Sequence, residues 1–375
     1  MRKSPKSSIA QNVTIKDIAE HLGISHSTVS RALSDHPYTN AGTKDKVRRA
    51  VERLGYVPNA AARNLRSDKG SLVGLILPEI QNELFGTAAQ ILSQRCLKNG
   101  LQMVFAASED DAQIEYEHVL ALREARARGI ILTPTPRMLD KTLALLQDIP
   151  VVQFSRRHKR LAAPSVSVDG ERGCLVATRH LLQLGHRRIA YVGMESDRST
   201  GAERLVGYLK AHAEYEVVAD PSLSRLGPSG PEFGNTAVMD ILQSRHPPTA
   251  LLLGTNALTL GALKAMRQLG MEAPRDLSVV GFGDPSWYAL WSPGITTIGV
   301  PQVEMAEAAA SHLMRQLAPP AQGVADPAPL ISIEPTFLVR GTTGHVPAAK
   351  NARGLTRSSG KGQPSAGSRA AATRA

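Results

Sequence analysis

The chain has 375 residues, with 44 Lys and Arg against 33 Asp and Glu, 42% hydrophobic residues and two cysteines, Cys96 and Cys174. It is long enough for two or three domains and apolar enough to bury large cores. No apolar run reaches the roughly 18–20 residues of a membrane-spanning helix, the start MRKSPKSSIAQN lacks the apolar stretch of a secretory signal, and two cysteines make neither a disulfide framework nor a metal cluster, so no membrane partner is expected and the reducing cytoplasm is.

The net charge of +11 is unevenly spread. Residues 1–70 hold 13 basic and 6 acidic residues, residues 341–375 hold 6 basic and none acidic, and the middle holds 25 basic against 27 acidic. A basic head on a near-neutral body predicts a polyanion partner for the head. The basic C-terminal run reads as a solvated tail.

Residues 1–12 are expected to be a disordered basic start, and residues 14–56 read as three short helices. Ile15, Ile18, Ala19 and Leu22 recur at helical spacing. Gly23 permits a sharp turn, and Ser25 is a good N-cap for a second helix with Val29, Ala32 and Leu33 inward. That leaves His26, Ser27, Ser30 and Arg31 outward. In a helix-turn-helix, the first residues of the second helix meet base edges in the major groove, and Arg, Ser and His have the donors and acceptors for it. The competing reading is a plain helical hairpin capping a domain; caps, period, turn and charge favour the first. Gly55-Tyr56-Val57-Pro58 ends the third helix, and NAAARNLRSDKG follows as a short helix or linker.

From Ser71 the rhythm changes. LVGLILP, LQMVFAA, GIILT and IPVVQF are short apolar runs separated by helical patterns such as Glu83–Lys98 and Ala112–Arg128. The pattern restarts with a helix from Asp169 to Leu184, strand RIAYVG, a helix from Thr200 to Ala213, strand TALLLG, a helix from Ala257 to Leu269 and strand LSVVGF. Continuous apolar strands alternating with helices predict two α/β lobes with parallel sheets. A late helix over Gln302–Gln316 and a strand over Leu330–Val339 are expected to cross back and complete the lobes, with crossovers near 169, 299 and 327. No cluster of His, Cys or Asp has metal spacing. GFGDPS lacks the third glycine of a dinucleotide loop, and His186 before a strand reads as structural. No enzyme, cofactor or metal is expected.

The stretches TIKDIAEHLGISHSTVSRAL and ERLGYVPNAAARNLRS resemble the head of the lactose-repressor (LacI/GalR) family of transcriptional regulators. The resemblance continues through LVGLILPEIQNELF, LLQLGHRRIAYVG, ERLVGYLKA and LSVVGFGD, over roughly residues 13–340. It implies an all-α helix-turn-helix DNA-binding head (13–58), a hinge helix (59–69) and an α/β two-lobed periplasmic-binding-protein-like effector and dimerisation domain (70–340), followed by a disordered basic tail (341–375). It also implies that His26, Ser27 and Arg31 read bases, and that Thr14, Ser25, Thr28, Tyr56 and Asn59 touch phosphates. Leu65 would wedge into the minor groove, with Arg66 beside it; such a wedge unstacks a base step and bends the duplex. The partners implied are a double-stranded palindromic operator, a second copy of the chain in a homodimer, and a small-molecule effector between the lobes. The tail carries no heptad repeat of the kind that makes some members tetramers.

For the effector, the resemblance points to Asn82 and Phe85 after the first strand, and to Arg156, Asp169, Arg198, Thr200, Arg204, Asn256 and Asp284. The sequence departs from the family at three places: Phe154-Ser155-Arg156, Thr255-Asn256-Ala257 and Gly281-Phe282-Gly283-Asp284 each lack an Asp common there. Losing carboxylates while keeping three arginines predicts an anionic effector, a sugar acid or phosphorylated sugar, over a neutral sugar. The competing expectation is that the arginines pair with local acids such as Glu203, Asp197 or Asp284. Trp287, Tyr288 and Trp291 are expected near the cleft mouth or in a core or lid. The expected function is a repressor-type regulator acting on the nucleoid in the cytoplasm; the alternative is a solute-binding protein of the periplasmic sugar-binding type without a transcriptional role.

Overall fold

The computed structural model describes residues 13–34, 38–56, 70–318 and 329–346. The chain falls into two compact units, a small N-terminal one and a larger one that begins at Val73.

The N-terminal unit holds three helices, α1 (Ile15–Leu22), α2 (His26–Leu33) and α3 (Ala41–Leu54). Thr14 and Asp17 form a capping box at the start of α1, Asp17 accepting from Thr14 N at 2.7 Å and Thr14 Oγ1 accepting from Asp17 N at 3.4 Å. Gly23 ends α1 with φ of 63° and donates its N–H back to Ala19 and Glu20, a left-handed conformation that glycine adopts without a Cβ penalty. Ile18, Val29 and Val47, one from each helix, are fully buried at the centre. Leu33, expected to face inward, is instead 36% exposed; it sits in the last turn of α2, beyond the core that closes on Val29 and Ala32.

The larger unit is two α/β lobes. The strands of lobe 1 are β1 (Leu72–Leu77), β2 (Gln102–Ala107), β3 (Gly129–Leu132), β4 (Val151–Phe154), β5 (Ser165–Val168) and β11 (Leu330–Ile333), in the order β11-β5-β4-β3-β1-β2. Those of lobe 2 are β6 (Ile189–Met194), β7 (Ser224–Gly227), β8 (Ala250–Leu253), β9 (Ser278–Phe282), β10 (Thr296–Gly299) and β12 (Thr336–Leu338), in the order β12-β10-β9-β8-β6-β7. The central pairs are parallel, as in Val73↔Gly129 and Ile189↔Ala250, while β12 runs antiparallel to β10. β1, β3, β4, β6, β8 and β9 are buried almost end to end, as two-sided burial of a parallel sheet requires.

Among the described residues, nine helices and a 3-10 turn cover these sheets: α4 (Glu83–Lys98), α5 (Ala112–Glu124), α6 (Asp140–Leu146), α7 (Gly170–Gln183), α8 (Ser199–Glu214), α9 (Pro231–Leu242), α10 (Asn256–Gln268), the short α11 (Trp287–Leu290), α12 (Gln302–Leu317) and a 3-10 turn at Pro221–Leu223. Helices α7 and α8 pack closely; a Cβ on Gly207 would come within 2.1 Å of the Glu171 carbonyl oxygen, so only glycine fits that crossing.

The chain passes between the sheets three times. It leaves β5 for lobe 2 at Asp169 and leaves β10 for α12 and lobe 1 at Val300–Pro301. The third passage corrects the expectation of a crossover near 327 and a single strand over Leu330–Val339: β11 pairs with β5 in lobe 1, β12 pairs with β10 in lobe 2, and the passage is Glu334-Pro335. Pro335 has no N–H to give a ladder, which breaks the run at that point. The helix expected over Ala112–Arg128 ends at Glu124, and Arg126 takes a left-handed φ of 54°.

The expected domain end at Arg340 also moves. Thr342 is fully buried; its hydroxyl donates to Val279 O at 2.9 Å and accepts from Thr296 N at 2.8 Å, and Val279 N donates to Thr342 O at 2.8 Å. His186, also buried, contacts Thr249 Oγ1, Ser278 Oγ and Gly344 O at 2.8–3.0 Å. It therefore ties residues 341–346 to lobe 2.

Candidate functional site

On the N-terminal unit, the exposed start of α2 presents a pre-arranged set of hydroxyls. Ser25 Oγ accepts from Thr28 N at 3.1 Å and lies 2.8 Å from both Ser27 Oγ and Thr28 Oγ1. His26, Ser27 and Arg31 are exposed beside them. A capped helix N-terminus with free N–H groups and outward donors suits a phosphate backbone, and an outward Arg suits guanine. Thr14 is exposed at the start of α1. Tyr56, expected at a phosphate, packs into the head core at 9% exposure, so its ring is first a core element. Asn59, Leu65 and Arg66 lie outside the described residues.

In the larger unit, a cavity of about 720 Å³, continuous with solvent, opens between the lobes. Parallel sheets put such a crevice at the carboxyl ends of their strands. Lobe 1 lines it with Glu79, Asn82, Phe85, Ser155 and Arg156, and lobe 2 with Thr200, Arg204, Ser229, Asn256 and Asp284. Asn82 and Thr255 are N-caps, accepting from Leu84 N and Leu258 N at 3.1 Å, and so fix the entries of α4 and α10 that bring Phe85 and Asn256 to the cavity. Arg204 is buried, donates to Gly254 O, and lays its guanidinium 3.6 Å over the ring of Phe282. Burial lowers its pKa. Its Nε and the hydroxyl of Thr200 are both buried and have no hydrogen-bond partner among the described residues.

An ionic cluster stands across the seam. Asp110, on the loop after β2, takes a two-pronged contact from Arg156 of its own lobe, with the second prong at 3.2 Å, and a 2.5 Å bond from Arg198 of lobe 2. Burial pushes the Asp110 carboxyl up, but the two guanidinium groups outweigh it and hold its pKa below the usual range. Glu79 moves the other way: burial first, then the negative charge of Asp110, raises its pKa. Glu109, Asp110 and Ser155 are non-glycine residues with φ between 53° and 66°. Left-handed conformations are costly for such residues and gather where a site fixes side chains; here they aim Asp110 and Arg156 at each other. Glu83 accepts from Ser286 N and Oγ at 3.1–3.2 Å, a second bond between the lobes.

Of the nine expected effector residues, seven line the cavity: Asn82, Phe85, Arg156, Thr200, Arg204, Asn256 and Asp284. Asp169 does not; it caps α7, accepting from Arg172 N at 2.8 Å. Arg198 lies beside the cavity and is held by Asp110. The expectation that the arginines pair with acids holds in kind, with Asp110 as partner to Arg156 and Arg198, while Asp284 pairs with Arg340 at 2.7–2.8 Å. Tyr288 is fully buried in the core of lobe 2, Trp287 packs against that core, and Trp291 is 39% exposed; none of the three lines the cavity. Sequence reading missed Glu79 and Asp110. Each is among the first carboxylates after a parallel strand, and that position points to the crevice.

The sequence profile described as "Bacterial regulatory proteins, lacI family" matches residues 14–59, and that of a "Periplasmic binding protein-like domain" matches residues 178–343. The HTH-type transcriptional regulator RegA of Clostridium saccharobutylicum is 31% identical over 307 residues, which span 81% of this chain and 92% of that protein. The HTH-type transcriptional repressor PurR of Yersinia pestis is 29% identical over 308 residues, 81% of this chain and 90% of that one. Among solved structures, the Lac repressor dimer bound to operator and the anti-inducer ONPF shares the fold at a TM-score of 0.78 and 23% identity, over 89% of this chain and all of that one. The transcriptional regulator CelR in complex with cellobiose does so at 0.64 and 24%, over 88% and 99%. With an N-terminal helix-turn-helix, a two-lobed unit after it in the sequence and relatives matched over most of their length, the chain belongs to the LacI family: it is a DNA-binding transcriptional regulator, not an enzyme.

Proposed function

We propose that this regulator binds a pseudo-palindromic operator as a homodimer, and that a small polar metabolite in the inter-lobe cavity controls its hold on DNA. In this reading Ser25, Thr28 and Thr14 meet phosphates and His26, Ser27 and Arg31 meet base edges. A single head covers few base pairs, and two-fold pairing of heads across a palindrome supplies specificity. Asn59, Leu65 and Arg66 belong to the proposed hinge contact with the operator centre.

The effector we propose is a sugar acid. Asn82, Asn256, Ser229 and Glu79 offer donors and acceptors to hydroxyls. The observation that carries the anionic group is the pair of orphaned donors, Arg204 Nε and the Thr200 hydroxyl; a buried donor left without an acceptor is costly, and a carboxylate supplies one. Arg156, already engaged by Asp110, contributes less free positive charge than its sequence position suggests. Closure around the ligand would shift the population of lobe arrangements and so the geometry of the paired heads.

The test is operator selection with the purified protein, followed by calorimetry and DNA-binding titrations with aldonic and uronic acids beside neutral hexoses. The reading predicts saturable binding of an acid and a change in operator affinity. Tight binding of a neutral hexose with no response to any acid would overturn it.

A further inference from the structure

A second chamber, about 920 Å³ and continuous with solvent, opens on the flank of the cleft. Its wall in lobe 1 is the run Arg157-His158-Lys159-Arg160, and its wall in lobe 2 is the Ser196–Ser199 turn with Arg198. The run is held in place from beneath: the buried side chain of Gln153 accepts from His158 N at 2.7 Å and donates to Leu161 O and Ala163 O at 3.1 Å. Arg157 N donates to Ser199 Oγ across the seam at 3.0 Å. The chamber is thus a fixed surface made by both lobes.

Its charge is unbalanced. Arg160 pairs with Asp140 at 2.7 Å, and Asp197, the carboxylate in the wall, lies 3.6 Å from Arg137. Arg156 and Arg198 share the charge of Asp110, and Arg198 also lies 3.8 Å from Glu195. Arg157 and Lys159 have no ion-pair partner among the described residues, although Glu203 lies near enough to feel Arg157. Two residues of these walls also carry an unmet buried nitrogen: His158 Nδ1 and Arg198 Nε have no hydrogen-bond partner among the described residues.

We propose that this chamber is a second anion site, taking the phosphoryl group of a small phosphorylated metabolite. Two cations without an ion-pair partner among the described residues match a phosphate dianion, which accepts from guanidinium forks and from a lysine acting as a point charge. An anion seated here contacts both lobes and favours their joined arrangement. By linkage it raises the affinity of any ligand that also favours that arrangement. Arg156 walls both this chamber and the effector cavity, whereas Arg157, Lys159 and Asp197 line this chamber and not the other, so substitutions at Arg157 and Lys159 report on this site.

Calorimetry on the full chain at 150 mM salt, with inorganic phosphate and glucose 6-phosphate as probes, tests this. Wild type should show saturable uptake, tighter for the sugar phosphate if a metabolite is the natural source and equal for both if free phosphate is. The double variant Arg157→Ala/Lys159→Ala should weaken uptake by at least about tenfold, the loss of two charge-assisted contacts. Thr200→Val, which removes a hydroxyl that lines the central cavity and not this chamber, should leave uptake here unchanged. If the double variant melts below wild type, Arg157→Gln gives the same readout with size retained. Uptake that survives these changes but is lost in Thr200→Val, or no saturable uptake at all, overturns the proposal.

Discussion

Asp110 of lobe 1 holds Arg198 of lobe 2 at 2.5 Å, and the same carboxylate holds Arg156, which walls the effector cavity. One acid thus joins the two lobes at the rim of the site. Asp110→Asn should loosen this joint and lower the melting temperature of the body by a few degrees. Because its folded pKa is depressed, its stabilising contribution is present above the unfolded value of about 3.9 and is lost as pH falls through the folded value. Melting curves of wild type and variant should therefore converge at low pH; a constant gap from neutral pH down to pH 3 would contradict the assignment.

Glu115 gives the opposite sign. It is buried in α5, where its two oxygens accept from Thr135 N and Oγ1 at 2.7 and 2.9 Å. Burial pushes its pKa up to about 7, against the lowering effect of those bonds. The folded state then holds a proton that the unfolded chain releases near pH 4.5, so stability falls as pH rises between the two values, by about 3 kcal/mol. Glu115→Gln should flatten that part of the stability curve. Denaturant titrations at pH 5 and pH 8 measure it.

Removing the residues after Arg340 should weaken lobe 2, because Thr342 bridges Val279 and Thr296 inside it. Thr342→Val keeps the shape but strands the Thr296 N–H, at about 1–3 kcal/mol. Denaturant unfolding of the variant checks this, and an unchanged midpoint would mean the bridge contributes nothing.

Two substitutions on α2 separate folding from reading. Ser25→Ala removes an N-cap and should destabilise the head by about 1 kcal/mol, seen in its melting. Arg31→Ala should leave the head folded, since Arg31 is exposed, yet cost about 1–3 kcal/mol of operator affinity and relax preference at one base pair. Selection on randomised duplexes reads out both.

The head was legible because its signals are local: Thr14, Gly23 and Ser25 act within four residues of themselves, and the core positions Ile18 and Val29 follow helical spacing. The long apolar strands were legible for the same reason. The short strands β5 (SVSV), β7 (SRLG) and β10 (TTIG) were not, since four residues broken by Ser, Thr, Arg or Gly carry no apolar run and are strands only through their neighbours. The cavity positions Asn82, Thr200 and Asn256 came from resemblance. The partnership of Asp110 with Arg156 and Arg198, 46 and 88 residues away, is set by tertiary closure that no local pattern encodes. That is why the cleft looked more positive in the sequence than it is in the fold.

The most direct test is a fluorescence-anisotropy titration of the full chain on its selected operator and on a scrambled duplex at 150 mM salt, with and without a saturating sugar acid. The account predicts at least about a thousandfold preference for the operator and a shift of tenfold or more in operator affinity when the acid is present. Equal weak binding to both duplexes, indifferent to every metabolite, would contradict it.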